Sequence, residues 1–170
     1  MTVERIIQVV TDQALKGEEN SEKRKNTILQ LVDQRFNFQL MSRLALGDNW
    51  DSLTVEEQAG FVVLFSDLLK KTYIRRIESY SDEKVVFSKE NVKDNLALVY
   101  SQFVKDTSEI SIIYKLKKEG DEWLVFDVVI EGASVIKQYR RQFSEIITAE
   151  KFDGLMLRLQ EKIKLSNASH

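Results

Sequence analysis

Apolar residues in the first half of the chain recur every three to four positions, which predicts amphipathic helices. One stripe covers residues 3–14 and can be closed by Gly17, and two further stripes over residues 28–32 and 36–44 end at Gly47. A longer helix starts at Thr54 and Glu57, whose spacing fits a capping box, and its apolar positions continue to residue 80. The apolar surface of this last helix is wide, so we expect it to be covered on more than one side or to border a cavity.

After Ser81 the hydrophobic period changes from about 3.6 to 2, which predicts four strands over residues 84–89, 95–105, 108–118 and 122–131. Turn residues at 105–107 and 119–121 predict antiparallel hairpins. The fourth strand is apolar on both faces except at Asp127, which predicts a central strand covered on both sides. Helical spacing then returns over residues 136–147 and 155–163.

The order of these elements predicts an α+β fold. We expect one antiparallel four-stranded sheet, residues 84–131, with long helices before and after it that enclose an apolar cavity able to hold a ligand. Residues 1–165 would form a single domain, and residues 166–170 a disordered or vector-derived tail.

The composition of the chain limits which kinds of function are expected. The 25 basic and 27 acidic residues are mixed along the chain, which argues against nucleic-acid binding and strong electrostatic membrane binding. There is no cysteine, and the one histidine is the last residue, His170, so thiol catalysis, a histidine base and a metal site with cysteine or histidine ligands are not expected. The apolar run at residues 61–65 is too short to span a membrane, and the N-terminus lacks the features of a signal peptide.

Several motifs resemble those of one family. WLVFDVVIEGASVIKQYRRQF, residues 123–143, and FNFQLMSRLALGDNW, residues 36–50, are similar to signature segments of the MlaC or toluene-tolerance family. Residues 56–80 and 152–162 resemble two further helices of that family, so the resemblance runs in order from Phe36 to Lys162. The sequence departs from the common pattern at Asn37, Ala133 and Arg141.

The resemblance implies a periplasmic phospholipid carrier that is not an enzyme. Such carriers shuttle lipid between an inner-membrane ABC transporter complex, through its MCE-domain subunit, and an outer-membrane lipoprotein complex. They need no metal or cofactor, and they are exported by a signal peptide that is absent from this sequence. The lack of a separate apolar patch motif leads us to expect a monomer.

The expected cavity wall combines apolar residues from the helices and the sheet. They are Phe36, Met41, Leu44, Phe65, Leu68, Leu69, Tyr73, Ile112, Tyr114, Val128, Ile130, Val135, Tyr139 and Phe143. Each could also be an ordinary core residue. Arg140 is a candidate for contacting a phosphate headgroup, because guanidinium geometry suits phosphate, or it is a structural partner of Asp127 or Glu131.

Two alternatives to a lipid carrier stay open. If Asp127 faces an apolar cavity near Tyr100 or Tyr114, the layout would resemble an isomerase with a carboxylate base and a tyrosine that stabilises an oxyanion. Asp127 could instead be paired with an arginine or with backbone donors. The second alternative is a protein-binding adaptor whose core is fully packed and holds no ligand.

Overall fold

The computed structural model describes residue 8, residues 17–78 and residues 84–168. The helix expected over residues 3–14 therefore lies outside the described residues, apart from Gln8, which is helical. The next helices are α1 (Ser21–Arg35), α2 (Phe38–Leu46) and α3 (Val55–Glu78), with a 3-10 helix at Gly47–Ser52 between α2 and α3.

Side-chain caps define where two of these helices begin. The Asn37 Oδ1 atom accepts a hydrogen bond of 2.9 Å from the Leu40 N–H at the start of α2, so asparagine here caps the helix as aspartate would. The capping box at α3 is confirmed: the Thr54 N–H donates to Glu57 Oε2 at 2.8 Å, and the Glu57 N–H donates to Thr54 Oγ1 at 3.1 Å. These contacts satisfy donors that the first turn of a helix leaves without partners.

The α+β fold and the antiparallel sheet are confirmed, but the predicted number of four strands is wrong. The sheet has five strands in the order β1 (Lys84–Lys93), β2 (Leu96–Lys105), β3 (Ser108–Glu119), β4 (Glu122–Ile130) and β5 (Ala133–Ser134). Glu131 and Gly132 both have positive φ, 49° and 79°, and form the two-residue turn that folds β5 back onto β4. A strand of two residues is too short to show an alternating pattern.

The expectation that the fourth strand is central is confirmed in part, because β4 lies between β3 and β5 and its side chains beyond Glu122 are buried or half-buried on both faces. β4 lies beside β5, which pairs only with Val129 and Ile130. Farther along the same edge, Phe36 forms an isolated parallel bridge with Val125, and the Asn37 N–H donates to the Val125 carbonyl at 2.8 Å. The connection between α1 and α2 therefore covers part of an edge that would otherwise carry unpaired backbone groups.

At the other end of the sheet, β1 is the edge strand of the described sheet, and it is irregular. Its register with β2 shifts between Phe87 and Lys89, so Ser88 is an extra residue without a directly opposed partner. Such a bulge bends the strand and increases its twist.

The final helix, α4 (Val135–Ala168), is interrupted at Lys151, where φ is 64° and ψ is −179°. This backbone conformation is one that glycine adopts far more readily than other residues. The break divides α4 into a first segment, residues 135–150, and a second segment, residues 152–168. Residues 166–168 belong to the helix, and residues 169–170 lie outside the described residues. The assignment of residues 166–170 to a disordered or vector-derived tail stays a prediction.

An aromatic cluster joins α3 to both segments of α4. Phe61 and Phe65 of α3 are fully buried and contact the Phe143 ring edge-on, with ring centroids 5.7 and 5.3 Å apart. The Tyr139 ring packs on Phe65 at 5.2 Å, and Phe152 reaches Phe61 from the second segment at 6.3 Å. Edge-to-face aromatic pairs contribute about 0.5–1.5 kcal/mol each beyond the burial of their area.

Two buried serines differ in hydrogen bonding, and this difference predicts opposite effects of removing their hydroxyls. Ser42 Oγ is buried and has no hydrogen-bond partner among the described residues, whereas Ser101 Oγ donates to the Ile112 carbonyl at 3.2 Å and is hydrogen-bonded to Tyr114. We expect Ser42→Ala to raise the free energy of unfolding by about 1 kcal/mol and Ser101→Ala to lower it by about 1–3 kcal/mol. Urea unfolding followed by circular dichroism tests both, and a Ser42→Ala protein less stable than the parent would contradict the assignment.

Candidate functional site

The strand register divides the sheet into two faces of different character. Residues paired directly across neighbouring strands share a face, so Phe87, Ser101, Ile112 and Ile130 lie in one row of what we call the inner face. The inner face is apolar apart from Ser101, Glu90 and three polar residues near the strand ends, Lys105, Ser108 and Lys118. Its apolar members are Val85, Phe87, Val92, Ala97, Val99, Phe103, Ile110, Ile112, Tyr114, Leu116, Trp123, Val125, Val128 and Ile130.

The other side of the sheet, which we call the outer face, is largely polar. Its rows contain Lys84, Val86, Lys89, Asn91, Lys93, Leu96, Leu98, Tyr100, Gln102, Val104, Glu109, Ser111, Ile113, Lys115, Lys117, Glu119, Glu122, Leu124, Asp127 and Val129. Burial agrees with this division, because Val99 and Tyr114 of the inner face are buried while Gln102 and Ser111 of the outer face are exposed.

The predicted wall residues fall into three groups. Those buried in the helical core are Met41, Phe65, Leu68, Leu69, Val135, Tyr139 and Phe143, and those half-buried against it are Phe36, Leu44, Tyr73, Val128 and Ile130. Ile112 and Tyr114 lie on the inner face of β3, outside that cluster. Twelve of the fourteen are therefore in or against one apolar cluster, and the remaining two continue it across the sheet.

The helices approach the sheet chiefly along β4. On the inner face, Val99 and Tyr114 are buried, Phe87 and Ile112 are half-buried, and Ile110 is 46% exposed. The site is thus an apolar surface that is buried in its middle and partly exposed toward Phe87 and Ile110, rather than an enclosed cavity among the described residues.

A groove of about 330 Å³ lies between α3 and the two segments of α4. Three predicted wall residues, Leu68, Tyr139 and Phe143, line it, together with Leu155 and Leu159 of the second segment. The volume is near the lower end of the about 300–1,000 Å³ that is usual for small-molecule sites.

An ion pair bridges the break in α4 beside this groove. Arg158 of the second segment contacts Glu150 of the first through two hydrogen bonds, one of them 2.9 Å from Arg158 Nε to Glu150 Oε2. The hydrogen bond from Arg158 lowers the pKa of Glu150, and the same contact raises the pKa of Arg158. Because both side chains are exposed to solvent, this pair orients the segments more than it stabilises them.

Two tyrosine hydroxyls are held within the apolar surroundings of the site. Burial raises the pKa of Tyr114 to about 12, and a hydrogen bond with Ser101 opposes that shift. Burial also raises the pKa of Tyr139, with a further increase from nearby Tyr73 and an opposing hydrogen bond with Thr72. Each hydroxyl therefore has a protein partner, as buried polar groups usually do.

Arg140, the candidate headgroup contact, packs against the turn that ends α2. A methyl group added to Gly47 would lie 2.7 Å from Arg140 Nε and Nη2, and Gly47 has a positive φ of 56°. The guanidinium thus occupies the space that the absent side chain leaves, at the C-terminal end of a helix where a cation is favoured. Its contacts with Gly47 correspond to neither of the partners considered from the sequence, Asp127 and Glu131.

Asp127 joins β4 to the start of α4. Its Oδ2 atom accepts a 2.7 Å hydrogen bond from Ser134 Oγ and lies 3.1 Å from Lys115 Nζ, while Oδ1 accepts from the Ile136 N–H at 3.2 Å. Ser134 Oγ in turn accepts from the Lys137 N–H at 3.1 Å, so both side chains cap the helix. The sequence suggested backbone donors for Asp127 but not its lysine partner.

The geometry does not support the isomerase-type arrangement. Lys115 and Asp127 are paired on the outer face, whereas Tyr114 and Val128 are paired on the inner face. Asp127 and Tyr114 therefore point to opposite sides of the sheet. Tyr100 shares the face of Asp127, but it is on β2 and its ring lies under Lys89 Nζ at 5.8 Å.

The described residues contain no group of three or more acidic, histidine or cysteine side chains placed to hold a metal ion. Among the same residues, no helix is both long and apolar enough to cross a bilayer.

The fold and the site define an α+β protein with an apolar sheet face opposed by helices. The chain belongs to the MlaC family, because the family model described as MlaC protein matches residues 1–161. A curated relative, the intermembrane phospholipid transport system binding protein MlaC of Haemophilus influenzae, is 23% identical over 131 residues, or 74% of this chain. The chain spans 61% of that relative's length.

A solved structure supports the fold. The phospholipid-binding protein from Ralstonia solanacearum, in complex with a phospholipid, matches 98% of this chain and 97% of its own with a TM-score of 0.83 and 23% sequence identity.

The contacts of Asp127 predict that its role is structural. We expect Asp127→Ala to lower the free energy of unfolding by about 2–4 kcal/mol, because it removes hydrogen bonds to a charged group and leaves Lys115 without its partner. Asp33→Ala is the matched control: its carboxylate also pairs with a lysine, Lys70, but is 52% exposed, so we expect a loss below about 1 kcal/mol. Denaturant unfolding measures both, and equal losses would contradict the proposed junction.

The raised pKa of Tyr114 predicts a loss of stability at alkaline pH. A tyrosine ionises near pH 10 in the unfolded chain, so this contribution is complete below about pH 10 and is lost as the pH rises toward about 12. Across that pH interval, we expect the free energy of unfolding of Tyr114→Phe to fall by about 2–3 kcal/mol less than that of the parent protein. Unfolding curves recorded at several alkaline pH values test this, and parallel pH dependences would refute it.

Proposed function

We propose that the protein is a phospholipid carrier that holds acyl chains between the inner face of the sheet and the helices. The observation that carries the proposal is the inner face itself, whose residues from β1 to β3 include large apolar side chains left partly exposed. Each acyl-chain methylene that this surface removes from water contributes about 0.8 kcal/mol to the free energy of binding. The cargo is the phospholipid, and no metal or cofactor is needed.

Family membership and the named relatives support the same function. The relative in Haemophilus influenzae is named as a binding protein of an intermembrane phospholipid transport system, and the similar structure from Ralstonia solanacearum is of a phospholipid complex. We propose that this chain likewise works in the periplasm. It would shuttle phospholipid between an inner-membrane ABC transporter complex, through its MCE-domain subunit, and an outer-membrane lipoprotein complex.

The groove beside Tyr139 and Phe143 fits into this proposal as part of the acyl-chain site. A methylene occupies about the volume of a water molecule, about 30 Å³, so about 330 Å³ corresponds to part or most of one acyl chain. A lipid with two chains would need the partly exposed part of the inner face as well. We therefore assign the groove and the inner face to one binding site.

Native mass spectrometry tests whether the protein carries lipid. We expect a stoichiometric adduct on the purified protein, which solvent extraction would identify as phospholipid and whose mass would count the acyl chains. Bare protein that also takes up no phospholipid from detergent-dispersed lipid would overturn the proposal and favour the adaptor with a packed core.

Neighbouring residues on opposite faces locate the site. Ile112 and Ile113 are both half-buried, but Ile112 lies on the inner face and Ile113 on the outer face. We expect Ile112→Gln to weaken phospholipid uptake at least about tenfold, because a polar group would be buried against the acyl chains. Ile113→Gln is the matched control and should bind as the parent does; equal loss in both variants would place the lipid elsewhere.

A further inference from the structure

The lysines of the sheet are concentrated on its outer face. Lys84, Lys89 and Lys93 of β1 and Lys115 and Lys117 of β3 all lie there by register. The bulge at Ser88 contributes to this arrangement, because it moves the second half of β1 by one residue and so places Lys89 and Lys93 on the same side as Lys84. The distribution of charge between the faces is not apparent from the mixed sequence.

Most of this positive charge is not neutralised within the face. Lys115 pairs with Asp127, and among the described residues none of the other four lysines forms an ion pair. The other acidic residues in the rows of this face are Glu109, Glu119 and Glu122. Glu122 pairs with Arg35, and Glu119 accepts a hydrogen bond from Asn37 Nδ2. The acidic residues of the hairpin loops, Asp94, Asp106 and Asp121, lie instead at the turns. On β1–β3 the outer face therefore carries five lysines and two glutamates, although the whole chain has a net charge of −2.

Apolar and aromatic side chains lie between the lysines. Leu98, Tyr100 and Ile113 are half-buried on this face, and Lys89 Nζ lies 5.8 Å from the centre of the Tyr100 ring. Lysine and tyrosine both combine an apolar body with a polar end, a property that suits the boundary between water and lipid. Along β1, Lys84 and Lys93 are about 30 Å apart, which is the scale of an extended surface rather than of one acidic side chain.

We propose that the outer face of β1–β3 docks the protein on the surface of bilayers that contain anionic phospholipid. The lysines contact the headgroup phosphates, and Tyr100 with its aliphatic neighbours rests at the level of the headgroups. This docking uses the charged outer face, whereas lipid carriage uses the apolar inner face, so the two are separate properties. The inference rests on the proposed function in one respect, namely that docking would bring the carrier to a source of lipid.

Vesicle co-sedimentation tests the docking surface. The parent protein should bind vesicles of phosphatidylcholine mixed with phosphatidylglycerol, bind vesicles of phosphatidylcholine alone much more weakly, and dissociate as salt screens the charges. The variant in which Lys84, Lys89, Lys93 and Lys117 are all replaced by Gln should bind anionic vesicles about 600-fold more weakly, since each of the four lysines near such a surface contributes about a fivefold factor.

The matched control changes the net charge by the same amount at other exposed positions. It carries Gln in place of Lys23, Lys137, Arg141 and Lys164, which are exposed positions outside the sheet, and it should keep most of the binding. Equal loss in both variants would show that net charge alone is responsible and would overturn the proposal. Absence of vesicle binding by the parent protein would also overturn it and would favour an acidic protein as the occupant of this face.

Native mass spectra of the same variants separate docking from carriage. The outer-face variant should keep its phospholipid adduct when loaded from detergent-dispersed lipid, because its inner face is unchanged. Vesicle binding without any adduct in the parent protein would refute the carrier function and leave the docking proposal intact. Thermal unfolding followed by circular dichroism confirms that each variant is folded.

Discussion

The carboxylate of Asp127 forms the polar junction between the sheet and the helical layer. The described helices meet the sheet chiefly along β4, and Asp127 is the β4 residue that caps α4 and pairs with Lys115 of β3. A buried carboxylate is tolerated here because hydrogen-bond donors and a cation surround it. Since the junction lies at one side of the sheet, β1–β3 extend away from the described helices, and the inner face is partly exposed there at Phe87 and Ile110.

The two faces give one sheet two separate chemistries. Side chains of consecutive strand residues alternate between the faces, so apolar and charged residues can follow one another in sequence and still be separated in space. Ile112, Ile113 and Tyr114 are an example: the first and third face the apolar side, and the second lies among the lysines. A carrier built in this way can hold its cargo on one side and meet its surroundings on the other.

The regular parts of this fold could be predicted from the sequence, and its irregular parts could not. The capping box at Thr54 and the hairpins of the sheet follow local rules that need no tertiary information. The break at Lys151 has neither proline nor glycine at that position to indicate it. The register shift between Lys115 and Leu116 moves Asp127 to the outer face, so simple alternation along β4 could not place it. The Arg140 guanidinium packs in the space beside Gly47, and this space forms only when the two residues come together in the folded protein.

The bulge at Ser88 also bears on how the protein behaves among copies of itself. A long, regular edge strand beside an apolar face is a template on which another chain can add a strand and begin an aggregate. In β1 the extra residue interrupts the regular spacing of backbone donors and acceptors, and lysines at both ends of the strand repel an identical edge. The bulge that places the β1 lysines on the outer face thus also protects a partly exposed apolar surface from self-association.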